Sequence, residues 1–144
     1  MSSLDLAAIA AAHAGTLDTS GLDPLIIVPR DSWRHLAGSM AQHGVRLSDL
    51  TCVDRVETVE VVAHVCPSQA EQVTLKTILP DGDLVVDSLW PVWPGADWLE
   101  REAYDMFGVL FEGHPDMTRI LMWEGFEGYP LRKSFLLETE EGEQ

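Results

Sequence analysis

The stretch TVEVVAHVCPSQAEQVTLKTILPDGD, Thr58 to Asp83, decides the fold class. Val59, Val61, Ala63 and Val65 alternate with Thr58, Glu60, Val62 and His64, and Val73, Leu75, Thr77 and Leu79 repeat the pattern. A period of two sends alternate side chains to opposite faces, the mark of strands with one face buried. "PSQA" (Pro67 to Ala70) and "PDGD" (Pro80 to Asp83) read as turns, Asp81-Gly82 being a hairpin signal. Successive antiparallel strands are therefore expected from Leu47 onward, with "LVV" (Leu84 to Val86) as a short third partner.

Upstream the period becomes helical. Ser3 is placed to cap a first helix with Leu6, Ile9 and Ala10 on one face and Gly15 as its stop, and "LIIV" (Leu25 to Val28) reads as a strand. Asp31 then caps a second helix, whose Trp33, Leu36, Ala37 and Met40 follow i, i+3, i+4, i+7 until Gly44. Downstream, "WPVWPG" (Trp90 to Gly95) interrupts regular structure, because the residue before a proline is pushed out of the helical region. The expected fold is α+β, a mainly antiparallel sheet with helices on one face, followed by an irregular C-terminal segment. One domain over residues 1–137 and an acidic, disordered tail, Glu138 to Gln144, complete the organisation.

The formal net charge is -15, from 24 acids against 9 bases. Such a surface repels nucleic acid and anionic lipid, and it suits either simple solubility or a basic partner. Two cysteines, Cys52 and Cys66, form neither a disulfide framework nor a zinc ribbon, so a reducing compartment is expected. The N-terminal sequence lacks a signal peptide's basic flank, and no apolar run reaches the roughly 18 residues of a spanning helix.

Chemistry-bearing residues concentrate in "DWLEREAYDMFGVLFEGHPD", Asp97 to Asp116. Asp97 is placed to cap a helix from Trp98 to Phe107, with Gly108 at the left-handed stop. Trp98, Leu99, Ala103, Met106 and Phe107 form one apolar arc at ~100° per residue. Glu102 falls inside that arc, Asp105 at its edge, and Glu100, Arg101 and Tyr104 opposite. A buried carboxylate needs a cation, and Arg119, Arg132 and Lys133 lie in the loop-rich stretch that follows. Glu102 or Asp105 is therefore expected to clasp Arg119 or Arg132 and pin that segment to the helix.

Catalytic readings of the same residues fare worse. Glu100 and Glu102, two apart on a helix, diverge and cannot flank a substrate. A metal set of Glu102, Asp105, His114 and Asp116 lacks a ligand motif. His64, Cys66 and Cys52 suit core packing better than a thiolate–imidazole site, and two cysteines do not hold an iron–sulfur cluster. No G-x-G-x-x-G, P-loop or G-x-S-x-G occurs. No catalytic, cofactor-binding or metal-ligating residue is expected in the chain. Trp90, Trp93, Trp98, Phe107, Phe111 and Trp123, set among arginines, have the composition of interface centres.

The run "WLEREAYDMFGVLFEGHPDMTRIL" (Trp98 to Leu121) and "GYPLRKSF" (Gly128 to Phe135) resembles the signature of the 30 kDa subunit family of respiratory complex I, known in bacteria as the C subunit of NADH:quinone oxidoreductase. Weaker similarity reaches back through "LSDLTCVD" (Leu47 to Asp54). The resemblance implies a non-catalytic, peripheral-arm subunit on the cytoplasmic side of the membrane, touching the membrane only through the complex. Its implied partners are the 49 kDa-type quinone-site subunit and iron–sulfur subunits, with FMN, iron–sulfur clusters and quinone carried by those partners. Glu100, Arg101, Glu102, Tyr104, Asp105, Phe107, Gly108, His114, Pro115, Arg119, Pro130, Leu131, Arg132 and Lys133 occupy family motif positions, with structural and interface roles implied.

Tyr129 stands where the family commonly has histidine, and Ser134 where it has aspartate. The sequence ends nine residues after Phe135 whereas many members continue into a longer arm, which implies a smaller docking area. Same-family subunits also occur in membrane-bound hydrogenases and in ferredoxin-fed or F420-linked dehydrogenases, the nearest alternative. A stand-alone hydrolase using the carboxylates with His114 is the alternative from another class.

Overall fold

The structure, a computed structural model, describes residues 4–123 and 125–135. The Ser3 cap and the acidic tail lie outside the described residues. The element order begins with α1 (Leu6–Ala12), β1 (Thr16–Asp18), β2 (Leu25–Ile27), a 3-10 turn (Arg30–Ser32) and α2 (Trp33–Gln42). Long strands β3 (Arg46–Asp54), β4 (Thr58–Ser68) and β5 (Glu71–Pro80) follow, then β6 (Val85–Asp87), α3 (Ala96–Phe107) and β7 (Leu110–Glu112).

The five-stranded sheet has the order β1-β2-β5-β4-β3, and only the β2–β5 pair is parallel. The alternating apolar row is its inner face. Val59, Val61, Ala63, Val65, Leu75 and Leu79 are wholly buried, packed in one core with Ile9 of α1 and Trp33, Leu36 and Met40 of α2. The edge strand β3 carries α3.

Local details differ from expectation where backbone or distant partners decide. Asp5, not the predicted Ser3, caps α1, its Oδ1 accepting the Ala8 N–H at 3.1 Å. Asp31 lies within the 3-10 turn, and α2 begins without a side-chain cap because the backbone bond from Ser32 N to Pro29 O, 3.0 Å, makes the entry. The short third strand does not join the main sheet. The chain leaves it at Asp81-Gly82, and β6 pairs in parallel with β7, with α3 as the crossover between them. Arg34 of α2 fastens that unit to the body, donating from Nε to Ser88 O at 3.1 Å and from Nη2 to Glu112 O at 3.0 Å.

Candidate functional site

α3 starts two residues earlier than predicted, at Ala96, with Asp97 in its first turn rather than at the cap, and it ends at Gly108 with φ 81°. Its buried face is rotated from the predicted arc. Ala96, Glu100, Ala103 and Asp105 are buried, whereas Trp98 is 56% exposed and Glu102 lies in solvent. The inward glutamate is thus Glu100 and not Glu102. What draws it inward is a pair of donors: Ser88 Oγ–H to Oε1 at 2.5 Å and Leu89 N–H to Oε2 at 2.7 Å. Burial raises the Glu100 carboxyl to about 7, against the pull of those bonds and of the Arg34 charge.

Asp105 holds the second anchor, and Arg119 is its partner. Arg119 Nε donates to Asp105 Oδ1, and its Nη2 donates to Asp105 O at 2.7 Å and Gly128 O at 2.9 Å. Nη1 reaches Phe126 O at 2.9 Å, and the guanidinium lies 5.1 Å and 5.2 Å from the Phe126 and Tyr129 ring centroids. Asp105 Oδ2 accepts three consecutive backbone N–H groups, from Ile120, Leu121 and Met122, at 3.1, 2.6 and 3.0 Å. One carboxylate therefore shapes a turn and neutralises an arginine at once. Burial opposes ionisation of Asp105, yet Arg119 and the three N–H donors outweigh it and hold the carboxyl below the usual range.

Arg132 makes a third anchor, with residues far upstream. Its Nε donates to Asp54 Oδ2 at 3.0 Å and its Nη2 to Asp81 Oδ1 at 2.8 Å. Asp54 also accepts the Lys133 and Val56 N–H groups, each at 2.8 Å, while the Lys133 side chain stays exposed. These donors outweigh the burial of Asp54 and hold its carboxyl below the usual range. Neither Glu102 nor Asp105 is the partner of Arg132. Between these anchors Leu131 N–H bonds Met106 O at 2.9 Å, next to the half-buried Pro130, and the Tyr129 ring packs on Gly108 and tilts against Tyr104 at 6.1 Å. A Cβ at Gly108 would sit 2.8 Å from that ring, and its positive φ disfavours other residues independently.

His114 is fully enclosed. Its Nδ1 accepts Asp116 N–H at 2.9 Å, so Nε2 carries the proton, facing Asp97 Oδ1 at 2.9 Å and Asp97 O at 3.2 Å. Both ring nitrogens thus meet groups of the chain itself, and Pro115 beside it is exposed. The described residues contain no group of three or more His, Cys, Asp or Glu placed to hold a metal ion. Cys52 faces Val61 and Cys66 faces Arg46, at opposite ends of the β3–β4 pair, and burial pushes the Cys52 thiol up to about 12. His64 bonds Thr74 Oγ1 at 3.2 Å.

The aromatic cluster divides in two. Trp93 and Phe111 are buried, with Trp93 Nε1–H on Val45 O at 3.1 Å, and Phe107 packs against the core. Trp98, Leu121, Trp123 and Leu131 are 56%, 52%, 68% and 54% exposed, and Trp90 38%. Arg101 joins this outer set, its guanidinium 5.7 Å from the Trp98 ring centroid while it bonds Thr118 O at 3.1 Å and Thr118 Oγ1 at 2.8 Å.

Residues 26–141 match the family described as "Respiratory-chain NADH dehydrogenase, 30 Kd subunit". The chain belongs to this family. It is 54% identical over 84 residues to the C 1 subunit of NADH-quinone oxidoreductase from Rhizobium meliloti (strain 1021), covering 58% of this chain and 41% of that protein. It is 47% identical over 96 residues to the C/D 2 subunit of NADH-quinone oxidoreductase from Aquifex aeolicus (strain VF5), covering 62% of this chain and 16% of that protein. The chain thus spans less than half the length of these relatives. Among solved structures it is similar to a trypsin-resistant fragment (1-134) of Nqo5, with TM-score 0.65 and 27% identity over 74% of this chain and 92% of that one. A chain of the membrane-bound sulfane sulfur reductase, an archaeal respiratory membrane complex, shares the fold at TM-score 0.78 and 23% identity, over 92% of this chain and 84% of that one.

In this member of the 30 kDa subunit family, the E-R-E-x-Y-D-x-F-G run separates into inward Glu100 and Asp105 and outward Arg101 and Glu102. Asp54, Asp81 and Ser88 complete the anchors, and the motif residues do not point to them. Asp54 carries a legible signal all the same: it continues the core-facing row of Leu50 and Cys52 on β3, so a period of two already turns its carboxylate inward.

Proposed function

We propose that the chain is a non-catalytic, peripheral-arm subunit of a membrane-bound NADH:quinone oxidoreductase, contributing shape and docking surface to an assembly that couples electron transfer to proton translocation. The observation that carries this reading is the 54% identity to a protein named as a C-type subunit of NADH-quinone oxidoreductase. The internal commitment of the acids supports it: Glu100, Asp105 and Asp54 each meet donors from the chain itself. Its partners are the 49 kDa-type quinone-site subunit and iron–sulfur subunits, and FMN, iron–sulfur clusters and quinone reside in those partners. A relative whose name joins C with D supports a close neighbour of the D type.

Among the described residues no helix is long and apolar enough to cross a membrane. In this reading, attachment at the cytoplasmic face runs through the partners. The docking surface is the outer face of α3 with the loop beyond it, where Trp98, Arg101, Leu121 and Trp123 offer aromatic area and a cation. Arg119 and Arg132 belong to the chain's own anchors and support that surface from behind.

Affinity purification of the tagged chain from membranes tests the proposal. It is expected to bring down NADH-oxidising, flavin-containing and iron–sulfur chains with NADH:quinone reductase activity, and Trp98→Ala with Arg101→Ala is expected to reduce that recovery. Recovery as a free monomer, or turnover of a small molecule by the isolated chain, would overturn it.

A further inference from the structure

Leu22 is 105% exposed, the most exposed large apolar side chain among the described residues. It sits in the turn between β1 and β2, on the sheet edge opposite β3 and α3. The turn is held in place: Ser20 N–H and Oγ–H both donate to Asp18 Oδ1, at 2.8 and 2.6 Å, and Gln72 Nε2 donates to Asp23 Oδ2 at 3.1 Å. A leucine presented on a fixed turn loses little conformational entropy on binding. Beside it opens a groove of about 750 Å³ whose apolar lining includes Leu4, Leu6, Pro24 and Pro67. Among the described lining residues the Asp, Glu, Lys and Arg side chains are Asp23 and Glu71, and His43 also lines the groove.

We propose that the Leu22 turn and this groove receive a segment of a different polypeptide in which apolar residues are flanked by lysine or arginine. Charge selects this occupant. A second copy would bring net charge -15 against net charge -15, and an anionic lipid surface would meet two carboxylates with no Lys or Arg among the described lining residues. The apolar walls and the protruding leucine supply contact area, while Asp23 and Glu71 favour basic flanks. This surface is separate from the face of α3 and does not depend on which assembly holds the chain.

The test replaces Leu22 with a photoreactive residue, Leu22→p-benzoylphenylalanine, in the full chain expressed in its native cells. Irradiation is expected to give one adduct with a different polypeptide, mapping to a segment that combines apolar residues with lysine or arginine. Its yield is expected to fall several-fold at high salt and with Glu71→Lys, a charge reversal on an exposed side chain. Absence of an adduct, or an adduct with a second copy, a lipid or a segment without basic residues, would overturn the proposal. Copurification with NADH-oxidising subunits is scored separately. An adduct-free chain inside such a complex removes only this surface, whereas an adduct on a chain outside any such complex removes only the subunit reading.

Discussion

The sheet body and the segment from Glu112 to Phe135 are ordered by opposite means. The body buries Val59, Val61, Leu75, Leu79, Leu36 and Trp33 completely. Apart from the side chain of His114, none of the described residues from 112 to 135 is buried. The segment instead converges its carbonyls and N–H groups on two arginines and the carboxylates of Asp105 and Asp54. Apolar burial is indifferent to pH, while these charge-assisted bonds need the carboxylates of Asp105 and Asp54 to be ionised. The two regions should therefore fail under different conditions, and the segment should fail without taking the body with it.

Asp105→Ala has the largest expected effect, about 4 kcal/mol, because it leaves Arg119 and three backbone donors without their acceptor. Limited proteolysis is expected to cut within residues 117–131 while the urea transition of the body persists. Acid should mimic it. Asp54 and Asp105 have depressed carboxyls, so their contribution is complete above their ordinary values near 4 and is lost as pH falls further. Leu75→Ala should cost about 3 kcal/mol, lost in the global urea transition rather than locally.

Glu100 sharpens the contrast by running the other way. Its raised carboxyl stays protonated in the folded chain while the unfolded chain ionises, so stability declines from pH 4.5 to about 7 and is flat above. Glu100→Gln should remove that decline, gaining about 3 kcal/mol relative to the parent's alkaline loss, read from urea midpoints at pH 5 and 8. The smallest effect belongs to the core row itself. Thr77 is wholly buried with no partner for Oγ1 among the described residues, and Thr77→Val should stabilise by about 1 kcal/mol.

The body was legible because strand alternation is local: one face of Thr58 to Leu79 announces itself at every second residue. The face of α3 was not. An arc drawn from apolar residues places Glu102 inside, yet the rotation is set by Ser88 and Leu89 donors that no helical period encodes. Pairing of β6 with β7 and of Arg132 with Asp54, 78 residues apart, likewise depends on topology. Asp105, Arg119 and Arg132 stand at motif positions that the resemblance names, while the contacts they make emerged only from three-dimensional proximity.

Whether these charges hold structure together or take part in chemistry is tested most directly in the proposed complex carrying Asp105→Asn, by measuring separately the amount of intact complex and its NADH:quinone turnover per complex. A structural role requires the amount to fall while turnover per surviving complex stays at the parental rate. A normal amount of complex with depressed turnover would contradict it.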